Sequence, residues 1–141
     1  MFKFKADLSN FLNGYIGQEH KFGQNDCNIL IADYLDTFIG TDYASKLKGQ
    51  YSSVQEGLKK CFGLVGFNNV FEACENHLER SDNIEDGSVV LIKKKYKNRN
   101  YYQASIVINN KVLIENNNRY EIHPVELFDY DLIYNRSKQW Q

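Results

Sequence analysis

The stretch Phe22-Gly23-Gln24-Asn25-Asp26-Cys27-Asn28-Ile29-Leu30-Ile31-Ala32-Asp33-Tyr34-Leu35 carries most of the fold information in this chain. Asn25 and Asp26 are both good helix N-caps, because their short side chains can accept hydrogen bonds from the first unpaired backbone N–H groups. Behind them Cys27, Leu30, Ile31, Tyr34, Leu35 and Phe38 recur at helical spacing. They form one apolar face, and Gly40 supplies a stop. The segment therefore reads as a buried helix with a thiol in its first turn.

Working outward, helices precede it and follow it. Leu8, Phe11, Leu12, Tyr15 and Ile16 mark an amphipathic first helix ending near Gly17. Residues 42–47 read as a helical turn. Ser52 or Ser53 caps a third helix striped by Val54, Leu58, Cys61 and Phe62. A fourth helix buries Val70, Phe71, Cys74 and Leu78. The pattern changes after about Asp82. Val89-Val90-Leu91-Ile92, Ala104 to Ile108 and Lys111 to Ile114 are short β-type runs, the last two separated by the turn signal Asn109-Asn110. Tyr120 and Ile122 alternate, as do residues 131–134 more weakly. Helices first and strands second predict an α+β domain rather than a parallel βαβ fold. The expected organisation is one domain over 1–141, with a helical half at about 5–79 and a sheet half at about 87–135.

The 141 residues fit one domain with its own core, and 43% apolar content argues against disorder. Seventeen basic residues balance eighteen acidic ones, so no broad nucleic-acid-binding face is expected. The one basic run, Lys93-Lys94-Lys95-Tyr96-Lys97-Asn98-Arg99, lies between apolar strands and reads as the solvated tip of a hairpin. Three cysteines without tight spacing do not make a disulfide framework, and Cys61 and Cys74 read as buried free thiols in a reducing compartment. No stretch has the roughly 18 apolar residues of a membrane span. The first residues show no secretory cleavage pattern, so the expectation is a chain made in a cytosol.

Cys27 is the chemistry-bearing candidate. A thiol at a helix start feels the positive end of the helix dipole and unpaired N–H groups, which favour the nucleophilic thiolate. Asp26 opposes this. The residues alone leave two readings open, a nucleophile or a small side chain packing the helix start. A nucleophile needs a base. His20 sits in the link before the helix, His77 near a helix end, and His123 on the predicted sheet, which makes His123 the candidate base from sequence. No His or Cys pair has metal-ligand spacing and no Gly-rich phosphate loop occurs, so no metal and no cofactor is expected.

A resemblance can now be stated. Phe22-Gly23-Gln24-Asn25-Asp26-Cys27, the helix ending in Thr37-Phe38-Ile39-Gly40-Thr41-Asp42, and Lys48-Gly49-Gln50-Tyr51 followed by a helix holding Gly57 resemble a family of small uncharacterised phage and prophage proteins. That family is in turn similar to the NlpC-type papain-like cysteine peptidases of cell walls. The match covers residues 22–64 well and the sheet half in outline. It implies a papain-like fold with helices packed on an antiparallel sheet and Cys27 at the nucleophile position. Gln103 stands where those peptidases carry their histidine, and Glu115 falls near their third polar position. Gln cannot take a proton and so cannot be a general base. The function implied is a phage virion component of the tail or connector, made in the host cytoplasm and partnered by other virion proteins, built on a degenerate peptidase domain. The alternative is an active thiol hydrolase that cuts peptidoglycan peptides during infection. A binding module acting on a host protein is a third class, for which the sequence offers no specific feature.

Overall fold

The computed structural model describes residues 2–137. Five helices come first: α1 (Phe2–Asn13), α2 (Cys27–Ile39), α3 (Ala44–Leu47), α4 (Val54–Val65) and α5 (Val70–His77). Six strands follow: β1 (Leu78–Arg80), β2 (Val89–Tyr96), β3 (Arg99–Ile108), β4 (Lys111–Asn116), β5 (Arg119–Pro124) and β6 (Leu132–Arg136). The strands form one sheet in the order β1-β6-β2-β3-β4-β5, with every neighbouring pair antiparallel. The domain is α+β.

Local chemistry sets the element ends. Asp26, Ser53 and Asn69 each accept the N3 backbone N–H of the helix that follows. Gly40 and Gly66 end α2 and α4 in the left-handed conformation. Asp36 then fastens the chain after α2, accepting from Tyr43 N and Ala44 N at 2.9 Å each. Three hairpins turn on residue pairs with positive φ: Lys97-Asn98, Asn109-Asn110 and Asn117-Asn118. Positive φ at both central residues is the type I′ geometry that matches strand twist, and Asn tolerates it.

One core joins the two halves. Leu8, Leu12, Leu30, Tyr34 and Leu35 from the helices pack with Val89, Leu91, Ile106, Leu113 and Tyr134 from the sheet. The far face of the sheet holds a smaller cluster of Val90, Val107 and Val112 under Ile84, Val125 and Phe128. Ser105 lies on that face, and its buried hydroxyl has no hydrogen-bond partner.

Some expectations need correcting. Leu78 is buried, but it opens β1 rather than closing α5, so the sheet starts earlier than Asp82. A three-residue strand is too short to show alternation. Ile16 and Phe62 sit on predicted apolar stripes yet are 43% and 60% exposed. Ile16 falls just past the end of α1, and α4 meets its neighbours along the narrower stripe of Gly57 and Cys61. β2 and β3 run on through the basic segment, so Lys93 to Lys95 belong to strand and the turn is Lys97-Asn98.

Gly23 marks the tightest approach in the fold. Its φ is +81°, and a Cβ there would lie 1.8 Å from the Tyr51 carbonyl oxygen. Gly40 has a similar φ of +77° but open space around it. Gly23→Ala is therefore expected to prevent folding, whereas Gly40→Ala costs about 1 kcal/mol. Urea unfolding of the two variants checks this, and equal losses would contradict it.

Candidate functional site

The site is built around Asp26. Its carboxylate is 3% exposed and accepts three hydrogen bonds: Gly23 N at 2.7 Å, Ile29 N at 3.2 Å and Tyr51 Oη at 2.9 Å. Gly49 N donates to Gly23 O at 2.7 Å. The Tyr51 ring lies against Gly57, where a Cβ would stand 3.0 Å from ring carbons. The Gly-x-x-Asp-Cys segment, the Lys-Gly-x-Tyr segment and the glycine of α4 thus meet at one point. The spaced motifs read from the sequence are bound together by structure before any chemistry is considered.

Cys27 follows directly, as the first residue of α2. Its side chain is half-buried, and Sγ lies 3.5 Å from the Tyr102 carbonyl oxygen as a hydrogen-bond donor. Burial pushes the thiol up from 9.0 to about 12, and the Asp26 charge adds to the rise. Backbone N–H groups of Ala104, Cys27 and Asn28 pull the other way but do not prevail. A helix N-terminus favours an anion by about 0.3–2 kcal/mol. Burial and the Asp26 charge outweigh it. The thiol is neutral at physiological pH.

Two hollows flank Cys27. On one side is a small apolar cavity of about 50 Å³, lined among others by Tyr51, Val54, Leu58 and Val70. On the other is a polar cleft of about 250 Å³ that includes His20, Lys94, Gln103, Glu115 and Tyr120. Phe22, Cys27 and Tyr101 line both. The cleft opens because β3 and β4 pair only over Ile106–Ile108, leaving the strands splayed beyond.

Of the residues singled out from sequence, Cys27, Gln103 and Glu115 share this cleft. His123 does not. It sits opposite Val112, whose side chain belongs to the far-face cluster, and its ring meets Phe128. Paired residues across a ladder share a face, so His123 points away from Cys27 and is not its base. Its Nε2 pairs with Glu121 at 2.8 Å instead. His77 hydrogen-bonds Tyr43 Oη at 2.8 Å, also outside the cleft lining.

The residue that sequence reasoning passed over is His20. The link before α2 runs along β5: Gly17 N donates to Tyr120 O, Tyr120 N to Gln18 O, and His20 N to Asn118 O. This lays the link against the sheet edge and carries the His20 ring into the cleft, edge-on to Phe22 with centroids 4.7 Å apart. No apolar alternation announces such a segment. Among the described residues no three His, Cys, Asp or Glu side chains gather as a metal site. No helix among them is long and apolar enough to cross a membrane.

With this geometry in place, the comparisons give a class. A family model described as a domain of unknown function matches residues 2–133. The chain belongs to that family, DUF6950. No curated protein and no solved structure matches it.

The neutral thiol has two measurable consequences. At neutral pH, Cys27 should alkylate on the order of 1,000-fold more slowly than an ordinary cysteine, from its smaller thiolate fraction. Mass-spectrometric peptide mapping of a timed labelling series reads this, and labelling at the ordinary rate would contradict the neutral thiol. Stability should also fall in alkali. The folded state holds the Cys27 and Cys61 protons to about pH 12, whereas the unfolded chain loses them near 9. Stability is complete below about pH 9 and falls above it, by about 1.4 kcal/mol per pH unit for each thiol. Urea titrations at about pH 8 and about pH 10 test the sign; unchanged stability would contradict the buried, protonated thiols.

Proposed function

We propose that this chain is a structural component of a phage particle, associated with the tail or connector and bound to other virion proteins. On this reading it is built on a papain-like (NlpC-type) domain that no longer performs catalysis. The observation that carries the loss of catalysis is the state of Cys27: protonated, donating to a backbone carbonyl and seated beside a buried carboxylate. A nucleophilic cysteine needs the opposite arrangement, a base in hydrogen-bond reach and a depressed pKa. The particle assignment is supported by the resemblance of residues 22–64 to small phage proteins. Helices packed on an antiparallel sheet, with the cysteine at a helix start facing the sheet, are consistent with that descent.

One observation favours a second reading, a thiol hydrolase acting on peptidoglycan peptides. His20 reaches the cleft beside Cys27 from the opposite chain segment to Gln103, and Glu115 lies in the same cleft. A substrate that displaced the Tyr102 carbonyl contact would leave a histidine near the thiol.

The two readings separate in one set of measurements. Mass spectrometry of purified particles should find the chain as a stoichiometric component, and the protein should release no peptide from cell-wall fragments. Gln103→His should not create activity, because Cys27 stays protonated. Peptide release by the unmodified protein, lost in Cys27→Ala and in His20→Ala, would replace the first reading with the second.

A further inference from the structure

Charge is separated along this fold, and of the basic run only Lys94 reaches the wall of the Cys27 cleft. Residues 93–99 hold five of the seventeen basic residues, and no carboxylate occurs between Asp86 and Glu115. The rest of the chain then has 12 basic residues against 18 acidic ones. The basic segment also lies where its two strands have no outer neighbour in the sheet. β2 pairs with β6 only over Val89–Leu91, and β3 with β4 only over Ile106–Ile108. Between them, Ile92–Tyr96 and Arg99–Gln103 pair only with each other. They form a two-stranded arm running about 20 Å from Leu91 to its turn. Lys93, Lys94, Lys95 and Lys97 are exposed along it.

The arm is fixed at its root. Lys93 N donates to Asp131 Oδ2 at 2.6 Å, and Tyr102 stacks on Phe71 with centroids 5.6 Å apart. At the root lies a cleft of about 450 Å³, with Asp82, Asp131 and Tyr130 in its wall. Asp129 adjoins Tyr130, and the Glu126 charge acts on the Tyr130 hydroxyl. Arg80 is the one cation in that lining, and it is already engaged by Glu75 at 2.7 Å.

We propose that the β2–β3 arm docks into the Asp82–Asp131 cleft of a second copy of the chain, so that copies join head to tail. Charge complementarity selects this occupant. Pairing two arms edge to edge across a two-fold axis would set lysine against lysine, and lysines on an open edge oppose that contact. A nucleic acid laid along the arm would meet Asp131 at its root and a net acidic body behind it. Because donor and acceptor surfaces differ, the contact is heterologous, and repetition gives a ring or an open filament. The inference stands independently of the state of Cys27.

Sedimentation velocity of the intact chain tests it. At about 0.01 M salt, where charges act over about 30 Å, the weight-average mass should at least double with concentration; at about 1 M it should return to the monomer. Lys95→Glu with Lys97→Glu should be monomeric at low salt, as should Asp82→Lys with Asp129→Lys. All four positions are exposed, and matching circular dichroism melts verify that the variants fold. Mixing the two variants should restore assembly, because each arm then faces a cleft of opposite charge. An unmodified chain that stays monomeric at low salt overturns the proposal. So does assembly that persists in both variants, and so does a monomer that binds duplex DNA through the arm lysines, which would make the arm a polyanion-binding face.

Discussion

The fold depends on a buried carboxylate. Asp26 ends one loop, starts α2 and holds the Tyr51 segment, through three hydrogen bonds from three different parts of the chain. Hydrogen bonds to a charged group contribute about 1.5–3 kcal/mol each, and a buried carboxylate without them would be strongly destabilising. The glycines around it follow from this demand. Gly23 must be glycine because the loop that presents its N–H to Asp26 also presses on the Tyr51 backbone. Gly57 is small because the Tyr51 ring must lie flat on α4 to bring its hydroxyl to Asp26. Motif spacing that looks catalytic in a linear sequence is here the footprint of one satisfied charge.

The same carboxylate decides the chemistry of its neighbour. A helix start invites a thiolate at Cys27, yet the residue that builds that helix start is an anion. Capping by Asn would keep an acceptor for Ile29 N without the charge, but its amide nitrogen could not accept from Gly23 N. With Asp, the N-terminal field is largely spent on the cap. Burial against the sheet then adds the larger cost, and the thiol settles into a hydrogen bond to Tyr102 O. Stability and nucleophilicity compete at adjacent positions, and the geometry favours stability.

The α+β order was legible because each half keeps one period: helical stripes through Cys74, then short β-branched runs from Val89. Caps and stops at Asp26, Gly40 and Ser53 were legible because they act within four residues. What stayed hidden was non-local. His20 reaches the cleft only because residues 17–20 pair with β5, a contact carried by backbone groups that leave no mark on side-chain pattern. His123 was misplaced because register decides which face a strand residue takes, and a shift of one residue reverses it. The length of the β2–β3 arm was masked by its lysines. They read as a loop, whereas exposed lysines are compatible with a strand that has no outer neighbour in the sheet.

The arm and the cleft are mechanically one piece. β3 contributes Tyr101, Gln103 and Ala104 to the cleft wall and continues into the arm without a break. Tyr102 belongs to both, since its register partner is Lys93 of the arm while its carbonyl oxygen accepts from the Cys27 thiol. Tyr102 also stacks on Phe71, so the strand is held to both α2 and α5 where the arm leaves the sheet. The half-buried thiol is thus one of three contacts, with Phe71 and Asp131, at the point where the arm leaves the sheet.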